Sequence, residues 1–428
     1  MRIGIVTRHF PPYIRGGSHL SVYYIAKGLV EKGMKVHVFS SLPPTIEEGA
    51  YMDVDLDIED YRIFNSKIPK NLLEQDEMSV KMAIQLRRKL KDLNMQFDVL
   101  HSYGMDTIPA IWFNRRYSKI IASSVNENWA TCPFADHSYK GEICIECTLK
   151  KLSRCSFAKS SGNFIRKTFA IPYLYTSMRL KKRIVKRLDL LLPISNNIKN
   201  RFMQNGFNPS KMRVCYSMLD PKDYENLNNH FLHDEFNLNY STKIILYAGR
   251  LAPYKGVEYL VRAIPSVVKE AENVTFMFIG HGGMKDSLVS LSEELKVEDK
   301  VIFGRFIDPK YMPHAYASSY CVVMPSTWPE PLGRVQLEAL SSRTAVIATN
   351  VGGIPETIIN EKTGLLIIPF SHEEISNAIM LLLNDEKRRN DMAKSGRNCA
   401  LKEYAIQNQI ENFVSAYEDV IKKLYNAG

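Results

Sequence analysis

Apolar residues along this chain follow two rhythms, and the order in which they alternate runs twice. Arg2–Thr7 reads as a buried strand. After the turn-rich residues 9–17, Val22, Ile25, Ala26 and Leu29 fall at i, i+3, i+4 and i+7, the spacing of one helix face. Gly33 closes that helix where a left-handed residue is common, and Val36 and Val38 alternate with polar neighbours as the next strand. The succession returns with a strand at Lys243–Ala248, a loop at 249–255 and a helix carrying Val257, Leu260, Val261 and Ile264. Strands at 274–279, 301–303, 321–324 and 345–348 then alternate with helical stretches, the order of a parallel sheet covered on both faces. The pattern predicts an α/β chain of two Rossmann-like, doubly wound domains facing a central cleft. Ligands are expected in the loops beyond the carboxyl ends of the strands.

A length of 428 residues suits two such domains. Strand-like 190–194 gives way to polar, turn-rich 220–239, which puts the boundary near 215. Residues 405–424 form a last helical pattern, expected to cross back onto the first domain. Hydrophobic residues at 45% and charged residues at 24% are ordinary for a globular protein. Met1 runs straight into a strand with no apolar signal region, and the longest apolar run, 188–194, is interrupted by Asp189. The expected location is cytoplasmic. The net charge of +10 is concentrated: residues 148–187 hold twelve Lys or Arg and no Asp or Glu, interleaved with aromatic residues. That segment is expected to make peripheral contact with an anionic membrane on its inner face.

Candidate chemistry gathers after two strands of the second half. Residues 329–340, PEPLGRVQLEAL, follow the strand at 321–324 and place a loop and a helix start there. Continuous helix would set Glu330 and Glu338 about 12 Å apart along the axis. That is too far for the paired carboxylates of a glycosidase, which stand roughly 5 to 9.5 Å apart. The spacing suits a ligand with hydroxyls at both ends and a diphosphate between, with the N–H groups at Gly333 facing the anion. Gly249-Arg250 and Lys255-Gly256 stand at the mouth of the strand 243–248, two cations fitted to a pyrophosphate.

The second half resembles the retaining glycosyltransferases of family 4, which have the GT-B fold. The matching residues are Tyr247-Ala248-Gly249-Arg250, Lys255-Gly256, Phe278-Ile279-Gly280 with Gly282-Gly283, Pro325-Ser326, the Glu330 to Glu338 motif and Gly352-Gly353-Ile354-Pro355-Glu356. The resemblance implies an N-terminal acceptor-side domain over 1–215 with a cysteine-containing insert at 130–160. A donor-binding domain over 216–404 and a returning helix over 405–428 complete it. It implies a hexosyltransferase-like enzyme that takes a nucleotide-diphosphate sugar as donor and a glycan or lipid-linked acceptor, in glycan, polysaccharide or glycolipid synthesis, with no metal needed for catalysis. Arg250 and Lys255 would hold the diphosphate, Glu330 the donor-sugar hydroxyls and Glu338 the ribose. Gly249, Gly282, Leu332, Gly333, Arg334 and Val335 would complete the donor site. Replacing Arg250 or Lys255, both in a loop, is expected to remove activity and leave the fold intact.

In the first half, Gly16 and Gly17 match the family's glycine loop, where backbone approaches the donor phosphates or the acceptor. They fit the G-x-G-x-x-G dinucleotide fingerprint poorly. His101, at the end of 98–101, and Asn126 and Glu127 are acceptor-side candidates. The residue type of His101 also fits a purely structural role. Asn126 stands where the family often has a histidine; an amide donates a hydrogen bond but takes up no proton. Cys132, Cys144, Cys147 and Cys155 lie within 24 residues, with Cys144 and Cys147 at C-x-x-C spacing. They suit a structural zinc or iron–sulfur cluster, or four reduced thiols. Two alternatives remain: another GT-B enzyme, such as a phosphorylase or a sugar-nucleotide epimerase, and a basic nucleic-acid-binding protein. No nucleic-acid recognition motif accompanies the charge, so no nucleic-acid partner is expected.

Overall fold

The computed structural model describes residues 1–14, 17–41, 50–51, 56–64, 72–134, 138–139, 142–144, 146–159 and 164–427. The chain divides into two compact units, Met1–Tyr216 with Gln409–Gly428, and Ser217–Asn408.

The first unit is built on six parallel strands: β1 (Arg2–Thr7), β2 (Lys35–Ser41), β3 (Ile58–Phe64), β4 (Phe97–Tyr103), β5 (Ser118–Val125) and β6 (Leu190–Pro193). They lie in the order β3-β2-β1-β4-β5-β6. Ile3 pairs with Val36 on one side and Val99 on the other. Helices α1 (Gly17–Glu31), α2 (Leu72–Leu93), α3 (Ile108–Phe113), α4 (Leu149–Lys159), α5 (Phe164–Lys186) and α6 (Asn196–Gln204) follow in sequence. Val22, Ile25, Ala26 and Leu29 of α1 are all buried, as the 3.6-residue period requires, and Gly33 ends that helix at φ +74°.

The second unit repeats the plan with β7 (Lys243–Ala248), β8 (Val274–Ile279), β9 (Val301–Gly304), β10 (Cys321–Met324), β11 (Ala345–Thr349) and β12 (Leu365–Ile367). The strand order is β9-β8-β7-β10-β11-β12. Its longer helices are α7 (Val257–Val268), α8 (Lys285–Glu294), α9 (Arg334–Ser341), α10 (His372–Asn384) and α11 (Glu386–Glu403); α12 (Ile406–Ala427) follows. One apolar cluster joins Ile245, Phe276 and Val323 to Leu260, Ile264 and Ile379, and a second joins Leu246, Met277 and Val322 to Leu340 and Ile358. Strands buried on both faces explain why β7 and β10 read as continuous apolar runs.

Each sheet therefore steps from its first strand outward one way, returns, and steps outward the other way. The connections leave in opposite directions at β1/β4 and again at β7/β10, which opens a crevice beyond the carboxyl ends of those strands.

Candidate active site

In the second unit, the loops that leave β7 and β10 bring two of the sequence candidates, Lys255 and Glu330, together. Lys255 closes a single turn after β7, and Gly256 follows as the residue before α7, at φ +66°. A side chain there would run into the carbonyl oxygen of Pro325, so only glycine lets the two loops touch. The contact sets the Lys255 ammonium 2.5 Å from Oε1 of Glu330. Ser326 donates to the same oxygen at 2.7 Å. The Lys255 side chain is 21% exposed and the Glu330 side chain 5%. The rings of Tyr254 and Trp328 flank the ammonium at 5.8 and 5.6 Å. Below, the Glu330 carbonyl accepts the N–H of Gly353 at 2.7 Å, which ties the motif loop to the turn after β11.

Helix starts at Arg334 and not at Glu330, so the expected 12 Å axial spacing does not apply. Gly333 precedes the helix at φ +89° and carries no side chain to cap it, which leaves the first-turn N–H groups for a ligand. A Cβ on Gly333 would strike the Gln336 amide. One turn on, Arg334 Nε donates to Glu338 Oε1 at 2.6 Å, and the Tyr316 hydroxyl donates to Oε2 at 3.1 Å. Arg334 also reaches Ser217 Oγ and the Met218 carbonyl, each at 3.3 Å. Burial first, and then the Glu338 charge, holds the Tyr316 phenol well above its ordinary pKa. Leu332 is buried, Val335 packs on the core, and Gly282 lies in the loop after β8.

Gly249 ends β7, and Arg250 stands exposed beside it. Its carbonyl accepts the Tyr247 hydroxyl at 2.7 Å. The two candidate cations therefore differ. Arg250 faces solvent, whereas Lys255 is the ion partner of a buried carboxylate. Replacing Lys255 removes that partner, so a cost in stability is expected there that is not expected at Arg250.

The first unit has its own cavity, about 250 Å³, at the matching crevice. Thr7, Tyr103 and Ser124, the last or nearly last residues of β1, β4 and β5, lie in its wall together with Asn126 and Glu127. Sequence reasoning missed its charged floor. Arg8 and Asp106 form a buried pair 3.6 Å apart. Burial lowers the Arg8 guanidinium and raises the Asp106 carboxyl, each opposed by the other's charge. His9 and His19 stack with ring centres 4.4 Å apart in the same wall. The available signal was position, since residues 8, 9 and 106 follow the switch-point strands directly. Tyr254, Trp328 and Tyr316 were missed as well, because aromatic residues there read as core.

His101 is corrected. It is 1% exposed and does not reach the cavity; its Nδ1 shares a 2.5 Å hydrogen bond with the Tyr417 hydroxyl, and Nε2 one of 2.8 Å with Ser124 Oγ. Burial pushes its pKa down to about 3, so the ring stays neutral and serves as a core polar bridge. Gly17 is the first residue of α1, and Gly16 lies outside the described residues. None of the four insert cysteines is in a disulfide, and Cys132 is buried. Burial, and then the nearby sulfurs of Cys132, Cys155 and Cys144, push the Cys147 thiol up to about 12. Among the described residues no three His, Cys, Asp or Glu side chains already form a metal's ligand shell. The basic segment is also less uniform than its sequence suggests: Lys181 is 2.6 Å from Asp76 of α2, and Lys182 reaches the Asn205 amide oxygen at 3.5 Å. No helix among the described residues is long and apolar enough to cross a membrane.

Two family models match the chain. One described as "Glycosyltransferase Family 4" covers residues 15–223, and one described as "Glycosyl transferases group 1" covers 228–399. An "uncharacterized glycosyltransferase" of Methanocaldococcus jannaschii is 26% identical over 427 residues, 98% of each chain. The sucrose-phosphate synthase of Thermosynechococcus elongatus superposes with a TM-score of 0.72 at 18% identity, over 100% of both chains. Anabaena HepE in complex with UDP-glucose superposes at 0.67 and 17%, also over 100% of both. At such identities the likeness to the two solved structures is one of fold.

Proposed function

This chain is a family 4 glycosyltransferase of the GT-B fold, and on that premise we propose that it transfers a hexose-like sugar from a nucleoside-diphosphate sugar to an acceptor hydroxyl with retention of anomeric configuration. One observation supports the reading: Lys255, in the loop after β7, pairs with Glu330, in the loop after β10, while Arg250 follows β7 and the Arg334–Glu338 pair lies in α9, whose start carries no side-chain cap. That arrangement offers two cations and free backbone N–H groups to a diphosphate, and a carboxylate to hydroxyls at either end of it.

In this reading the bond from the anomeric carbon to the diphosphate breaks as negative charge grows on the leaving oxygen. Arg250, Lys255 and the N–H groups at Gly333 stabilise that charge. The acceptor hydroxyl attacks from the same face and yields its proton to the leaving phosphate, so no metal is required. Glu338, oriented by Arg334 and Tyr316, takes the ribose, and Glu330 the sugar hydroxyls. The cavity at β1 and β4 takes the acceptor, with a role for Asn126 and Glu127 in its wall. For Cys132, Cys144, Cys147 and Cys155 the proposal is a structural metal, whose binding would close thiols that lie near one another without yet forming a shell.

A panel of UDP-, GDP- and ADP-sugars tests the donor claim by thermal shift. A ligand at 100 times its Kd adds ~2.7 kcal/mol to the native state, so the correct base raises the melting temperature in the native protein and not in Arg250→Ala. No shift with any of them rejects the reading. Release of nucleoside diphosphate only when acceptor is present separates transfer from phosphorolysis or epimerisation.

A further inference from the structure

One face of the first unit combines features that the donor chemistry does not use. On α2, Leu73, Val80 and Ile84 recur along one side and are 62, 52 and 50% exposed, while Met82, Leu86 and Leu90 opposite them are buried. A single exposed leucine is ordinary; three in line on one helix are an apolar stripe that no described residue covers. Neighbouring elements widen it. The Arg87 guanidinium of α2 donates to the carbonyl of Phe113 at the end of α3 at 2.8 Å, and Phe113 is itself exposed. Nearer the start of the helix, Asp76 of α2 gathers the Tyr173 hydroxyl, the Ser177 hydroxyl and the Lys181 ammonium of α5, at 2.6, 2.7 and 2.6 Å.

That clamp fixes how α5 is turned. With Tyr173, Ser177 and Lys181 facing α2, the outward side of α5 carries Arg179, Arg183, Lys186 and Arg187, all exposed, with exposed Leu180 beside them. An apolar helix face thus lies beside a cationic one. Gln75, two residues beyond Leu73 and so about 200° round the helix from it, lines the cavity at the ends of β1 and β4, so that cavity and the stripe share the first turn of α2.

We infer that α2 and α5 form a docking face for an anionic lipid bilayer, which presents a lipid-linked acceptor to the adjoining cavity. The charge selects the occupant. Residues 148–187 contain no carboxylate, so these cations need an anionic surface. The apolar stripe adds what a soluble polyanion would leave unused, side chains suited to the boundary between headgroups and acyl chains. Lys181, one of the twelve cations of 148–187, pairs with Asp76 and links the two helices. The docking face stands independently of the donor site; only the statement about the acceptor rests on the glycosyl-transfer reading.

Co-sedimentation of the full chain with vesicles of phosphatidylcholine and phosphatidylglycerol tests it, with pure phosphatidylcholine as control. Wild type should sediment with the anionic vesicles and be released by salt, since at 0.15 M charges are screened beyond ~8 Å. Val80→Gln/Ile84→Gln and Arg179→Gln/Arg183→Gln should each weaken binding by roughly tenfold or more, given ~1 kcal/mol per surface cation and the loss of two apolar anchors. Calorimetric binding of the free nucleotide should stay unchanged in both. Ile84→Trp should show a blue-shifted emission with anionic vesicles. Wild type left in the supernatant at low salt overturns the proposal, as does binding to heparin without binding to vesicles, or a tryptophan whose emission does not move. If the vesicles bind as expected and no nucleotide does, the glycosyl-transfer reading fails and the docking face stands.

Discussion

Replacing Lys255 by methionine should destabilise the second unit as well as stop transfer. Met keeps an apolar stem against Tyr254 and Trp328 and removes only the charge. At 2.5 Å and an effective dielectric near 20, the gross attraction to Glu330 is about 6 to 7 kcal/mol. Most of that offsets the desolvation of the two groups. The measurable cost comes from the carboxylate left behind, and for fully buried pairs it is about 3 to 5 kcal/mol. Lys255 is one-fifth exposed and Ser326 still donates to Glu330, so about 2 to 3 kcal/mol is expected. In a unit of this size that lowers the melting temperature by about 5 to 10 °C. Glu330→Gln removes the charge but keeps an oxygen for Ser326, so Lys255→Met/Glu330→Gln should recover most of the loss while remaining inactive. Differential scanning calorimetry of the four proteins closes the cycle. A Lys255→Met variant melting within about 1 °C of wild type, or a double variant no more stable than Lys255→Met, would refute the reasoning.

Three further outcomes follow from the same geometry. Glu338→Ala should weaken calorimetric binding of the free nucleoside diphosphate more than Glu330→Ala does. Tyr316→Phe, which removes one hydrogen bond to that carboxylate, should cost about 1.5 to 3 kcal/mol of folding stability and weaken the same binding; the opposite ranking of the two glutamates would reverse their roles. His101 has a folded-state pKa of about 3, below the ordinary 6.5, so the unfolded chain takes the proton first. The contribution of neutral His101 is complete above pH 6.5 and falls by up to about 1.4 kcal/mol per pH unit as acid carries the pH down towards 3. Urea unfolding at pH 7 and pH 5 should show this loss in wild type and a smaller one in His101→Gln; equal losses would contradict it. Protein purified without added metal should contain zinc or iron by elemental analysis. Less than about a tenth of an equivalent, with all seven thiols titratable after unfolding, would leave the cysteines as free thiols.

The strands most legible in the sequence are those buried on both faces. Residues 2–7, 243–248, 274–279 and 321–324 are apolar runs between turns, and each is a strand with those bounds. β3 escaped notice because it is an edge strand reading IEDYRIF, half exposed and rich in charge. β12 is only three residues long. In the second unit, glycines after the strands mark loops that touch one another, because few residue types tolerate such close backbone approach. Which groups pair is a tertiary fact. Nothing in the spacing of Lys255 and Glu330 says that they meet, nor that Asp76 would neutralise Lys181 from a helix a hundred residues away. His101 shows the converse: a histidine at a strand end fits an acceptor-side role as well as a structural one until its two ring nitrogens are found occupied.

Retention of configuration by fixed cations is the central claim, and the anomer released from the donor tests it most directly. Water can stand in for the unknown acceptor during prolonged incubation with whichever α-linked nucleotide sugar gives a thermal shift. Proton NMR then reads the first-formed sugar before it mutarotates. The account predicts that wild type releases the α-anomer, and that Arg250→Ala releases it on the order of a hundred times more slowly or worse, as expected for the loss of one charge-stabilising contact. Release of the β-anomer, or equal rates in the two proteins, would contradict it.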